Sequence, residues 1–175
     1  MATLSFTVAP LSDSDEAAAV TPMVDGVSLV DLVCRFERDA GYEPAGGFAG
    51  IVPAYFNFGD LAEHFLGRQE RQWPDTGRAW LLGCQCGEAG CWPLTARISL
   101  DASTVNWLDF THEHRQERTY AGLGPYVFER THYEAAVAAM VRTLRQRATV
   151  GHSEQRCPGP SLKSGPGHPS GVAAD

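Results

Sequence analysis

Lysine is almost missing from this 175-residue chain: Lys163 is the sole example among 14 basic residues, set against 21 acidic ones, and the net charge is −7. A protein that binds a phosphate backbone wants a basic face. No Lys/Arg cluster supplies one here, so nucleic acid is not an expected partner. Long apolar runs are missing as well. No stretch approaches the roughly 18 apolar residues of a membrane-spanning helix, and no membrane partner is expected. Met1 leads into the alternating run Ala2–Val8, without the basic and apolar regions of a secretory signal, which points to a cytoplasmic protein. Cysteine is sparse and odd in number, 5 in all, which argues for free thiols or metal over a disulfide framework. There is no G-x-S-x-G elbow, phosphate loop, dinucleotide fingerprint or H-E-x-x-H, so the chain leans away from being an enzyme.

What is present fits one globular domain. Hydrophobic residues make up 43% and charged residues 20%, ordinary for such a domain. A chain of this length buries roughly 70% of its unfolded surface and needs neither metal nor disulfide to fold. Composition changes abruptly at Gly151, after which Gly, Pro and Ser dominate. Residues 1–150 are therefore expected to form a single α+β domain and 151–175 a disordered tail, with Cys157 incidental to it.

The apolar pattern predicts an antiparallel sheet with two or three helices on one face. Leu4–Val8 alternates as a strand. Residues 13–19 form an acidic connection, and Pro22–Val27 a short strand ending at an Asp25-Gly26 turn. Ser28 and Asp31 have capping-box spacing before a helix over 29–39, with Leu29, Leu32, Val33 and Phe36 on its apolar stripe and Gly41 as its stop. Cys34 lies near that stripe. Residues 41–59 form a long packed loop or two edge strands. Asp60 caps a short helix closed by Gly67, whose lone His64 is expected to be structural. A three-stranded meander follows, Ala79–Cys86, Trp92–Leu100 and Val105–His112, with Trp80, Trp92 and Trp107 mostly in the core and Trp73 just before it. Tyr126–Phe128 is extended, and Thr131 and Glu134 cap a helix running to about Arg147 with Tyr133, Val137, Met140, Val141 and Leu144 inward.

Cys84, Cys86 and Cys91 stand at C-x-C-x4-C spacing where the first two meander strands meet. Zinc takes four Cys, His or acidic ligands; these three thiols with His112 or His114 would supply them. Strand register decides whether they meet, because a one-residue slip turns every side chain over. Pairing Cys86 with Cys91 and Leu100 with Val105 puts all three cysteines and both histidines on one face, but mixes polar residues into the core. Pairing Cys86 with Trp92 and Leu100 with Asn106 gives a cleaner apolar face and sets Arg97 opposite Asp109. The second register accounts for more residues and is expected; it makes Cys84 and Cys86 buried thiols and turns Cys91 away. A bulge at Gly83, Gly87 or Gly90 would restore the metal site. A Cys86–Cys91 disulfide is disfavoured by a reducing compartment. The charged run His112-Glu113-His114-Arg115, with Glu117 and Arg118, is expected to be a solvated loop.

The run Leu81-Leu82-Gly83-Cys84-x-Cys86-Gly87-x-x-Gly90-Cys91-Trp92-Pro93-Leu94, with Val105-x-Trp107-x-x-Phe110, Gly122-Leu123-Gly124-Pro125-Tyr126-x-Phe128 and Tyr133-Glu134, resembles an uncharacterised bacterial (actinobacterial-type) protein family. The resemblance covers about residues 78–145 and implies no activity, ligand or catalytic residue. The leading functional expectation is a non-enzymatic interaction domain without cofactor, its acidity suited to a basic protein partner. The alternatives are a zinc-binding domain on Cys84, Cys86, Cys91 and His112 or His114, and a small enzyme with a pocket between the 41–59 and 112–118 loops.

Overall fold

Two isolated bridges join the two antiparallel sheets of this α+β fold. The computed structural model describes residues 1–11, 14–69, 78–88 and 90–154. The first sheet holds β1 (Leu4–Leu11), β2 (Ser14–Val24) and β3 (Val27–Ser28) in that order. The second holds β4 (Phe48–Ala49), β5 (Arg78–Cys84), β6 (Leu94–Leu100), β7 (Thr104–His112) and β8 (Tyr126–Glu129), again in chain order, and curls into a half-barrel. Ala2 bridges to Phe128 at one edge, and Val20 bridges to Ile51 near the other. Those contacts tie the two sheets together and give hydrogen-bond partners to backbone groups that would otherwise be unpaired there.

Three helices complete the fold: α1 (Leu29–Asp39), α2 (Leu61–Phe65) and α3 (Arg130–Glu154). The Ser28 hydroxyl accepts from the Val30 amide at the start of α1, and Gly41 takes a φ of 73° past its end. Both are the features a capped helix needs. Its inward ladder is Leu29, Val33 and Glu37, all buried; the third rung is an acid where the pattern wants a hydrophobe. Helix α3 packs on β1 and β2, and its Tyr133, Val137 and Met140 are buried. Its first turn is capped by Glu129, whose carboxylate accepts from the amides of Thr131 and His132, and not by the expected Thr131. The helix runs on to Glu154, past the expected end at Arg147 and past residue 150; residues 155–175, with Cys157, and Trp73 lie outside the described residues.

The expected acidic connection over 13–19 is, from Ser14, part of strand β2. Ala17, Ala18 and Val20 are buried there, and backbone pairing with β1 outweighs the polar composition at the strand's start. Residues 41–59 contain one edge strand, β4, and otherwise form a packed loop.

Both anticipated registers occur in the same strand pair. At the hairpin end Leu100 pairs with Val105, whereas at the far end Leu94 pairs with His112. Between them Ala96 faces both Asp109 and Phe110, a bulge in which Asp109 takes a φ of 51°. The Arg78 guanidinium holds the bulge, donating to the Asp109 carbonyl and to the Thr111 hydroxyl. Consequently Val105 and Trp107 face the core before the bulge, and Phe110 and His112 after it. Arg97 still reaches the Asp109 carboxylate at 3.4 Å.

Candidate metal centre

Strand β5 pairs with β6 through Trp80–Thr95 and then Leu82–Leu94, a register that matches neither expectation. Its consequence is local: the pairing with β6 stops at Leu82, β5 itself ends at Cys84, and β6 starts only at Leu94. Cys86 and Cys91 therefore lie outside any strand, and strand alternation no longer dictates where they point. The expected separation of Cys91 from the other two thiols is overturned. The sulfurs of Cys84, Cys86 and Cys91 lie within 4.8 Å of one another.

Each thiol is held differently. Cys84 is half-buried at the end of β5, opposite Phe48 of β4. Cys86 and Cys91 are exposed. The Cys86 amide donates to the Cys84 sulfur at 3.4 Å. Burial, reinforced by the Cys86 sulfur, pushes the Cys84 thiol up to about 11. Cys86 moves the other way, chiefly because the Cys84 thiol donates to it and then because the Glu88 backbone amide does. Negative charge is thus better tolerated on Cys86 than on Cys84. Gly87, at a φ of 86°, packs against the Tyr55 ring; an L residue there would be strained.

The two histidines proposed as fourth ligands do not join the cluster. Among the described residues the group of close ligand atoms consists of the three cysteines. His114 accompanies the cysteine loop in a different role, its Nε2 lying 2.7 Å from the Gly90 carbonyl. His112 is fully buried, its ring 4.8 Å from that of Trp92 and 5.8 Å from that of Phe48. Its Nδ1 accepts from the His114 amide, which leaves Nε2 buried without a partner. Burial, with the nearby Arg115 charge, lowers the His112 pKa to about 4. The Arg115 guanidinium sits 4.3 Å over the Trp92 ring, so Trp92 contacts both a cation and the His112 imidazole.

A second constellation escaped the sequence pattern. Glu37 and Arg118 form a buried ion pair, and Tyr120 donates to the same carboxylate at 2.6 Å. The other carboxylate oxygen accepts from the Gly46 amide at 2.6 Å. Arg118 also donates to the carbonyls of Glu43 and Pro44. The segment expected to be a solvated charged loop is therefore, at Arg118, a buried tether to the 41–59 loop. The signal was available: Glu37 falls four residues after Val33 on the buried ladder of α1. Both carboxylate oxygens are engaged by donors, and burial together with the Glu37 bond raises the Tyr120 pKa. This is an arrangement for holding two loops together.

His64, the other histidine singled out, is buried, with Nε2 2.9 Å from the Trp80 carbonyl. Burial lowers its pKa, and it packs edge-on against Phe58 and Phe65.

Sulfurs bound to one zinc at about 2.3 Å in tetrahedral array sit about 3.8 Å apart. The observed limit of 4.8 Å requires a closing movement of about 1 Å, which unpaired backbone at 86 and 91 can supply more readily than a strand can. Three soft donors fit a thiophilic ion. No family model, curated protein or solved structure matches the chain.

Proposed function

We propose that this chain is a non-enzymatic domain that binds one thiophilic metal ion, zinc, through Cys84, Cys86 and Cys91. The observation that carries it is the convergence of three sulfurs within 4.8 Å on a loop that leaves two of them exposed. The fourth position falls to water or to a donor brought by another molecule, because the close ligand atoms among the described residues are the three sulfurs and include no ring nitrogen of His112 or His114. Thiolate ligands must lose their protons, so binding is linked to proton release, with Cys86 easier to ionise than Cys84. Untagged protein prepared under reducing conditions should carry about one zinc per chain, and cobalt substitution should give a near-ultraviolet thiolate-to-metal absorption band. Substoichiometric metal together with absence of that band would overturn the proposal.

The interaction domain anticipated for an acidic chain is supported by one observation. Tyr55 and Phe56 are 56% and 40% exposed, and Tyr55 lies against Gly87 of the loop that carries Cys86 and Cys91. A basic protein partner docking there would meet the metal's open position. Co-purification from the native host should recover such a partner in stoichiometric amount, lost on Tyr55→Ser; its absence would count against this second role.

A further inference from the structure

We infer that Cys86 and Cys91 are an oxidant-responsive pair that closes a reversible disulfide when the protein meets a hydroperoxide, and that this closure dismantles the metal site. The disulfide stands on the geometry of the free thiols; only its effect on metal rests on the function proposed above.

The choice of pair follows from how the three sulfurs are anchored. A disulfide needs its sulfurs about 2.05 Å apart, so sulfurs now within 4.8 Å of one another must approach further. Cys84 ends strand β5 and is paired with Phe48 of β4; moving it strains the sheet. Cys86 and Cys91 lie outside the strands and are exposed. A side chain added at Gly90 would meet nothing within 4 Å, so the backbone next to Cys91 has room to shift. Exposure also admits the oxidant, which half-buried Cys84 receives less freely.

The chemistry balances as a two-electron oxidation. The Cys86 sulfur attacks the peroxide oxygen, the O–O bond breaks, and the departing oxygen leaves as water or an alcohol once protonated, giving a sulfenic acid on Cys86. The Cys91 sulfur then attacks the Cys86 sulfur. The S–O bond breaks, the hydroxyl leaves as water with the Cys91 proton, and the S–S bond closes. Two thiols are oxidised and one hydroperoxide is reduced. A disulfide that forms and reverses in this way is the kind expected where thiols are otherwise kept reduced. With two of three sulfurs consumed, Cys84 alone cannot retain the ion.

Arg78 and Arg97 bracket all three cysteines with no basic residue between them, so one tryptic peptide reports the outcome free of Cys34 and Cys157. Metal-free, reduced full-length protein treated with one equivalent of hydrogen peroxide should yield that peptide lighter by two hydrogens, restored by reductant. Cys84→Ser should keep the two-hydrogen loss. Cys91→Ser should abolish it and let dimedone trap a sulfenic acid on Cys86. Loss of the cross-link in Cys84→Ser, or its persistence in Cys91→Ser, would overturn the pairing; an unmodified wild-type peptide would overturn the switch. Zinc-loaded protein should release its ion to a chromogenic chelator in step with the cross-link. Cross-linking without ion release would refute the coupling, whereas a protein that cross-links but never binds zinc would refute the proposed function and leave the disulfide standing.

Discussion

The Arg118 guanidinium meets the Glu37 carboxylate at 2.9 Å with side-chain exposures of 3% and 0%, across 81 residues of chain. A charge pair removed from water this completely contributes little net stability when intact, because desolvation offsets attraction. Its consequence appears when one member is lost. The other is then stranded in a medium that cannot solvate it.

Arg118→Met should therefore cost about 3–5 kcal/mol in urea unfolding, which for a chain of this size lowers Tm by roughly 10 °C or more. Replacing both partners with apolar residues should cost clearly less than the single change, since no stranded charge remains. A single-variant loss below about 1 kcal/mol would show that water reaches the pair and that the two loops are tethered by something else.

Closure of the two sheets can be probed at Gly50. A methyl group there would come 2.6 Å from the Val20 carbonyl oxygen, the atom that accepts from the Ile51 amide. Gly50→Ala should destabilise the fold by about 1–3 kcal/mol, the usual range for forced overpacking, and raise hydrogen exchange at the Val20 and Ile51 amides. Unchanged protection at both amides would mean that the bridge does not hold the sheets together.

Helix α1 could be read from Ser28 and Gly41 because caps and stops act within a few residues. The strands of the meander were equally legible, since Leu82, Leu94 and Trp107 follow local apolar patterns. Their register was not. It depends on a bulge whose residue, Asp109, adopts a left-handed conformation that its identity does not announce, and whose carbonyl is held by Arg78 from 31 residues upstream. The candidate site was half legible for the same reason. The three cysteines were visible as a motif, but alternation was extended through Cys86 and back from Trp92, where pairing has already ceased. The pairing of Glu37 with Arg118 was hidden for a different reason. Glu37 has a local signal in its place on the α1 ladder, but Arg118 looks like surface charge until Glu37 is placed beside it.

Acid should weaken the protein through His112. Burial, then the Arg115 charge, holds its folded-state pKa at about 4, while the unfolded chain titrates near the ordinary value of about 6.5. Below that value the unfolded state takes up a proton that the folded state refuses. The stabilising contribution is thus complete above pH of about 6.5 and is lost as pH falls toward 4. His64, also depressed by burial, acts in the same direction. An NMR titration should place the His112 ring midpoint near 4, and His112→Phe should flatten the fall in stability between pH 6.5 and 4. A midpoint near 6 would show that the ring is hydrated and contributes no such slope.

The two ways of building a metal site from this chain make opposite predictions for its histidines. If His112 or His114 were a ligand, replacing it would remove a metal–nitrogen bond. The geometry instead places the His114 Nε2 on the Gly90 carbonyl and buries His112 against Trp92, so in the proposed three-thiolate site both would act only by supporting the loop that carries Cys91. Loss of an outer partner of this kind typically weakens metal affinity 10–100-fold. His114→Ala should stay within about that range and keep about one zinc per chain at saturation. Cys86→Ser should weaken binding by more than about 100-fold, because it removes a ligand, and one whose ionisation its neighbours favour. Competition titrations against a chelator of known affinity separate the two cases. Equal losses for His114→Ala and Cys86→Ser would make His114 a ligand and require the 112–114 segment to move toward the sulfurs when metal binds.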